Sequence, residues 1–297
     1  MPATNAPPTL AACLEAIRAA DEPPDELIVV EQGDGPAAAR NAAAREATGE
    51  VLVFVDADVL PHRDAFARIR RAFDERPDLA ALFGSYDDSP AAPGAVSAFR
   101  NLLHHHVHQT GGGDATTFWA GLGAIRREAF TAAGGFDAER YPRPSIEDIE
   151  LGTRLVAGGA WIELDPRVQG THLKAWTLTS MIETDFSRRG VPWVELLLRR
   201  GGSSAALNLG WRHRASALAS LIAAVALLRA RLRLAGGALL ALAALNASFY
   251  SVLARRRGSA EAVLGVGLHA VHHLTGVASV PAGIAAYLRE QRDGTRP

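Results

Sequence analysis

The last third of the chain contains three long stretches with few polar residues, and the second and third carry no charge. They cover 215–231, 234–254 and 262–288. Because about 20 apolar residues cross a bilayer, the 21 and 27 residues of the later two are long enough to span one. The first reaches that length when its flanking arginines extend to the membrane surface. Their many Ala and Gly residues fit buried helices of a soluble protein as well, so both interpretations stay open.

Charge separates this region from the rest of the chain. After Leu198 there are thirteen arginines and three acidic residues, a net charge of +10, whereas residues 1–198 carry −11. Basic residues that bracket apolar stretches favour an anionic membrane surface, and no motif indicates nucleic acid as a partner. Arginines lie on both sides of every stretch, so they do not define an orientation.

The cysteine content and the N-terminal residues indicate the cellular compartment of the protein. Cys13 is the single cysteine, which excludes an intramolecular disulfide and a cysteine-based zinc site. Met1 is followed by proline and polar residues, unlike a signal peptide. We expect the cytoplasmic membrane, with the N-terminal part facing the cytoplasm.

Residues 1–200 alternate between short apolar strands and helices, a pattern typical of an α/β sheet domain. Predicted strands are 26–30, 51–55, 79–84, 118–120, 124–126, 161–164 and 168–171, with the first two paired in parallel. Predicted helices begin near Thr9 and then cover 36–48, 64–74, 96–108, 147–157, 176–189 and 192–200. We predict an α/β domain over 1–200 and a membrane-associated helical region over 201–297.

Two pairs of acidic residues are candidates for cation binding or catalysis. Asp56 and Asp58 directly follow the apolar strand 51–55, at the sheet edge where α/β folds bind ligands. Two carboxylates there suit a divalent cation, or they are solvated loop residues. Glu147 and Asp148 open a predicted helix, where acids also serve as caps. Beside a metal–diphosphate site, Asp148 is a candidate general base.

Six segments in order resemble the motifs of family 2 glycosyltransferases with a GT-A fold. They are Gly35–Asn41, Asp56–Asp58, Phe118–Ala124, Gly134–Asp137, Ile146–Leu151 and Thr171–Lys174. Asn101–His105, Val107–Gln109, 207–209, Asn246, Phe249–Tyr250 and Arg255–Gly258 resemble a membrane-associated bacterial subgroup. That likeness suggests a membrane lipid or a lipid-linked acceptor as partner.

The resemblance implies a role for each matched residue. Asp56 and Asp58 would hold Mn²⁺ or Mg²⁺ on the diphosphate of a nucleotide-sugar donor, and His172 would complete the metal shell. Asp148, preceded by Glu147, matches the catalytic base. Trp119, Gly121 and Gly123 match the glycine-rich loop beside donor and acceptor. Together these roles predict single displacement with inversion at the sugar. Without this match, a histidine such as His172 is more often structural than a metal ligand.

The nucleoside site departs from the family pattern. The chain starts at the turn that usually follows a first strand, so we expect that strand to be missing. The segment Glu31–Asp34 stands where the family commonly has Asp-Asp-Gly-Ser. We expect Glu31 and Arg40 to contact the nucleoside.

Histidines 104, 105, 106 and 108 admit three interpretations: a zinc pair at i and i+4, acceptor contact, or a packed helix face. Two rival functions are also open. A sugar nucleotidyltransferase uses a metal at a similar sheet edge, but its Gly-rich, Lys-containing signature is missing. A non-catalytic membrane scaffold would follow from loss of the first strand, although Asp56, Asp58 and Asp148 are intact.

Overall fold

The computed structural model describes residues 1–4, 7–31, 33–201 and 210–293. The segment 207–209, part of the subgroup resemblance, lies outside them. Two compact units are present: unit 1 comprises residues 1–92 and 104–174, and unit 2 comprises residues 93–103 and those from 175 onward. The functional division expected at residue 200 stays a prediction.

Unit 1 is built on a six-stranded sheet. Its strands are β1 (Val51–Val55), β2 (Val59–Pro61), β3 (Leu79–Tyr86), β4 (Gly113–Asp114), β5 (Leu122–Arg126) and β6 (Trp161–His172). The order is β1-β5-β3-β6-β2, and β4 also pairs with β6. Because β5 is antiparallel to β1 and β3 while β6 is parallel to β3, the carboxyl ends of β1, β3 and β6 meet at one edge.

The predicted strand 26–30 and its parallel pairing with β1 are wrong. This segment is extended but contributes only an isolated parallel bridge between Val30 and Pro2 in the described chain. Parallel strands are stable where both faces are covered, whereas Leu27 is exposed and residues 28–30 are only partly buried. The pairing that β1 does make is the antiparallel one with β5.

Two further strand predictions need correction. Residues 118–120 form a loop that leads into β5. The two strands predicted at 161–164 and 168–171 are one strand, β6, with an irregularity where its pairing with β3 shifts. Pro166 lies in this interruption and has no backbone N–H to donate, which accounts for the sequence pattern of two strands.

Helices cover the sheet of unit 1. They are α1 (Leu10–Arg18), α2 (Pro36–Glu46), α3 (Ala65–Glu75), α4 (Ala95–Thr110, in this unit from His104 on), α5 (Arg127–Ala132) and α6 (Glu147–Ala157). Phe66, Ile69 and Phe73 show why α3 packs as it does. They recur at helical spacing and are buried in the core of the unit. Burial of each side chain stabilises the fold by about 2 kcal/mol.

From Leu178 on, the described residues of unit 2 form helices joined by short connections. Its helices are α7 (Leu178–Glu183), a π-helical segment (Thr184–Gly190), α8 (Val191–Arg199), α9 (Trp211–Leu228), α10 (Leu232–Leu245), α11 (Ala247–Arg257) and α12 (Ser259–Asp293). The single helix predicted at 176–189 is therefore α7 and the π-helical segment. Asp185 of this segment is buried, pairs with Arg100 at 3.0 Å and contacts His272 Nδ1 at 2.7 Å.

The second apolar stretch, 234–254, is a bent pair of helices and not one helix. α10 and α11 meet at an angle of 83° around Asn246. The Asn246 side chain explains the break, because its Nδ2 donates to Leu242 O at 2.9 Å and to Ser216 Oγ at 2.8 Å. A side chain that bonds the preceding turn competes with helical continuation.

Among the described residues, one helix is long and apolar enough to cross a membrane, namely Ser259–Arg292 of α12. The bent pair α10 and α11 makes a second candidate if it counts as one span. α9, which contains most of the first predicted stretch, is not among these candidate spans. Membrane insertion itself stays a prediction.

Candidate active site

The Asp56–Asp58 segment forms a tight turn at the carboxyl end of β1. The Asp56 N–H donates to Gly121 O at 3.0 Å, and the Val59 N–H donates back to Asp56 O at 3.0 Å. The Cys13 thiol donates a hydrogen bond to Val59 O at 2.8 Å. These bonds fix the turn while about a third of each carboxylate side chain remains exposed. The turn therefore presents both carboxylates at the sheet edge, as predicted.

Arg40 joins the two acidic motifs. Its Nη2 donates to Asp56 Oδ1 at 2.6 Å and its Nη1 donates to Glu147 Oε1 at 2.8 Å. Burial by itself lowers the pKa of Arg40, but Asp56 and Glu147 outweigh it and raise this pKa above its ordinary value. The Arg40 side chain is 5% exposed and faces the two carboxylates. Its expected contact with a nucleoside stays a prediction.

Asp148 lies in the first turn of α6, against the glycine-rich loop. Its Oδ2 accepts the Ala120 N–H at 3.1 Å and its Oδ1 accepts the Ile149 N–H at 2.8 Å. Burial, and next the charge of Glu147, raise the pKa of Asp148 to about 6, against the opposing effect of Arg40. Asp148 is thus an aspartate poised to exchange a proton near neutral pH.

Close packing explains the glycines of the loop. A Cβ at Gly121 would overlap the Trp119 ring, and a Cβ at Gly123 would overlap the Trp119 carbonyl oxygen. A Cβ at Gly152 of α6 would overlap the backbone of Phe118. Gly152 therefore lets α6 approach the loop and bring Asp148 to it, while Gly121 and Gly123 let the loop fold closely on Trp119.

His172 is the last residue of β6 and reaches the same edge. Its Nε2 lies 3.6 Å from Asp58 Oδ2, and the Leu173 N–H donates to Asp58 O at 2.8 Å. Burial raises the pKa of Asp58, but His172 and then Lys174 outweigh it, so the pKa lies below its ordinary value. Asp58 and His172 are thus brought together as predicted.

The donors at this edge suit a divalent cation by their chemistry. Carboxylate oxygens from Asp56 and Asp58 and one imidazole from His172 are ligands that Mn²⁺ accepts. In the described part of the chain, no three His, Cys, Asp or Glu side chains already stand together as a metal site. Asp56 Oδ1 is engaged by Arg40, which leaves Asp58 and His172 as the pair already in position.

Glu31 is exposed and directly follows the bridged Val30. Its contact with a nucleoside stays a prediction.

Asp87, which sequence reasoning missed, lies at the same sheet edge at the end of β3. It accepts hydrogen bonds from the Thr171 hydroxyl and, at 3.0 Å, from the Ser89 N–H, and it contacts His62 Nε2 at 3.0 Å. The hydrogen bond with Asp87 raises the pKa of His62. An acid directly after a buried strand is the signal that identified Asp56, and Asp87 carries the same signal.

The histidines of α4 pack against rings and backbone. His108 Nδ1 contacts Gly84 O at 2.8 Å, and the ring centroids of His104 and His108 lie 4.7 and 5.6 Å from that of Trp119. This is the packed-helix interpretation, and no zinc group forms in the described residues.

Comparison with known proteins gives a match to one protein family. Residues 30–133 match the family model of Glycosyl transferase family 2. The matched segment is thus similar to family 2 glycosyltransferases. This confirms the resemblance found in the motifs. No curated protein matches the chain.

A solved structure supports the same fold. The mannosyltransferase PcManGT from Pyrobaculum calidifontis, in complex with GDP-Man and Mn²⁺, is similar at 21% identity over 97% of this chain and 85% of that chain, with a TM-score of 0.51. TarS 1–349 from S. aureus, in complex with UDP-GlcNAc, shows 14% identity over 96% of this chain and 90% of that one, with a TM-score of 0.43. The sheet of unit 1 belongs to the mixed α/β GT-A fold.

Removal of the Arg40 bridge should destabilise the fold. Arg40→Met leaves Asp56 and Glu147 without their cation, and we expect a loss of about 3 kcal/mol in the free energy of unfolding. Chemical denaturation at pH 7 measures it. Arg45→Met changes an exposed arginine of the same helix, and equal losses in the two variants would contradict the bridge.

Asp148→Asn should stabilise the fold at neutral pH. A folded-state pKa above the unfolded value means that ionisation destabilises the wild type as pH rises from about 4 through 6. The variant has no such ionisation, so its free energy of unfolding should exceed that of wild type by up to about 2 kcal/mol at pH 7.5. The gap should close at pH 4. Glu128→Gln, at an exposed position, should follow the wild type, and a gap that is constant with pH would refute the assignment.

Proposed function

We propose that this chain is an inverting, metal-dependent glycosyltransferase. It transfers a sugar from a nucleotide-sugar donor to a hydroxyl of a membrane-proximal acceptor, a class that includes lipid-linked acceptors. The placement of Asp148 carries the proposal. An aspartate with a raised pKa lies against the glycine-rich loop, and Arg40 links its neighbour Glu147 to Asp56.

Asp148 acts as the general base in this proposal. With a pKa of about 6 it is ionised at neutral pH and still basic enough to take a proton from an acceptor hydroxyl. The acceptor oxygen forms a bond to the anomeric carbon while its proton moves to Asp148. The bond from that carbon to the diphosphate oxygen breaks, and the nucleoside diphosphate leaves with the electron pair. Attack opposite to the leaving group inverts the configuration.

The leaving group needs positive charge. Asp58 and His172, with Asp56 from the same turn, would hold a divalent cation that neutralises the departing diphosphate. PcManGT was solved with GDP-Man and Mn²⁺, which supports this class of donor and cation. Arg40 sets the position of the turn through Asp56 and is therefore a structural support for the donor site.

Membrane association is part of the proposal. α12 is long and apolar, and its Val263 and Leu264 are exposed. The excess of arginine after Leu198 complements an anionic lipid surface. We place the protein at the cytoplasmic membrane with the catalytic domain in the cytoplasm, where nucleotide sugars are present.

Turnover of a panel of UDP-, GDP- and TDP-sugars tests the reaction. With Mn²⁺ or Mg²⁺ and protein in membranes, we expect release of a nucleoside diphosphate that rises with pH to a plateau above about 6. Asp148→Asn should lower turnover by about 100-fold or more while donor binding persists. The exposed Asp74→Asn is the matched control. Wild-type turnover in Asp148→Asn would overturn the base, and product with retained configuration would overturn inversion.

Flotation with vesicles containing phosphatidylglycerol tests the membrane assignment. We expect the full chain to float, and Val263→Glu combined with Leu264→Glu to weaken flotation because charge disfavours burial in lipid. Leu27→Glu changes an exposed leucine of unit 1 as the control. A wild-type chain that stays in the soluble fraction would remove the membrane from the proposal.

A further inference from the structure

Tyr86 and His172 form a parallel ring stack at the sheet edge of unit 1. Tyr86 ends β3 and His172 ends β6, the neighbouring parallel strand. Their ring centroids are 4.1 Å apart and their planes differ by 7°. Both strands end at the edge where Asp58 lies, so the stack borders the candidate metal site.

Two further rings hold Tyr86 in place. His104 lies on it with a centroid distance of 4.1 Å and an interplanar angle of 31°, and Trp119 meets it edge-on at 4.9 Å and 89°. His105 Nδ1 contacts the Tyr86 carbonyl oxygen at 2.9 Å. We call Tyr86, His104, Trp119 and His172 the aromatic cluster. It is continuous from the glycine-rich loop to His172.

The geometry of the stack differs from ordinary core packing in the same sheet. Phe54 and Phe83 each meet Phe118 edge-on, at 80° and 77°. In such an edge-on pair the contact covers the face of only one of the two rings. The 7° stack instead restricts rotation of the His172 imidazole, whose Nε2 points to Asp58. A histidine that ligates a metal depends on its surroundings for this orientation.

We propose that Tyr86 is the positioning residue of His172. By stacking on the imidazole, Tyr86 holds Nε2 toward Asp58 so that the pair receives a divalent cation. The inference rests on the metal site of the proposed function. It also assigns His104 a purpose, since its ring keeps Tyr86 on His172.

Mn²⁺ binding to the full chain in detergent, followed by electron paramagnetic resonance, tests the proposal without turnover. Tyr86→Met removes the stack at similar volume and should weaken Mn²⁺ binding by about tenfold or more. Tyr86→Phe keeps the stack and should bind as wild type does. Phe73→Leu removes a ring from the same core and should also keep wild-type affinity. Tyr86→Ile replaces Tyr86→Met if the latter does not fold.

A spectroscopic signature separates positioning from general destabilisation. The wild type should show coupling of Mn²⁺ to one imidazole nitrogen in pulsed spectra, and His172→Ala should lose it. Tyr86→Met should lose this coupling, whereas Phe73→Leu should keep it. Thermal unfolding of each variant confirms that it is folded at the temperature of measurement.

Each contrary result has a definite meaning. Wild-type affinity in Tyr86→Met, or equal losses in Tyr86→Met and Tyr86→Phe, would overturn the positioning role of Tyr86. The proposed function would still stand in that case if Asp58→Ala abolished Mn²⁺ binding. Equal losses in Tyr86→Met and Phe73→Leu would also overturn it. Failure of the wild type to bind Mn²⁺ would remove the metal site and this inference together.

Discussion

The candidate site depends on the ion pairs that the buried Arg40 guanidinium forms. It pairs with Asp56 at the end of β1 and with Glu147 at the start of α6, two elements that are distant in sequence. Two carboxylates so close together would repel each other without a cation between them. Arg40 thus holds the Asp56–Asp58 turn and the start of α6 in one arrangement.

The same arrangement separates two kinds of acid. Asp58 lies beside His172 and Lys174, which keep its pKa below the ordinary range and favour the ionised form that a cation needs. Desolvation, and next the charge of Glu147, raise the pKa of Asp148 to about 6, which suits proton exchange. Environment alone therefore shifts the pKa values of two aspartates in opposite directions, which suits the separate tasks that we propose for them.

The sheet explains why these residues meet. β1, β3 and β6 end at one edge, and each delivers polar residues there: Asp56 and Asp58, then Tyr86 and Asp87, then Thr171 and His172. Gly152 permits α6 to pack against the glycine-rich loop, and Gly121 permits that loop to fold against Trp119. The aromatic cluster then fills the space between the loop and His172.

The sequence by itself determined the α/β class, the exact bounds of β1 and α6, and the residue types at the site, because local apolar runs and motif spacing encode them. Only the tertiary structure decided which side chains contact each other. Arg40 faces two carboxylates 16 and 107 residues away, and Tyr86 stacks on His172. Residues 26–30 lack full burial, so no strand forms there, and Asn246 breaks an apolar run through contacts with Ser216 and Leu242. Such outcomes depend on long-range packing, which spacing along the chain does not record.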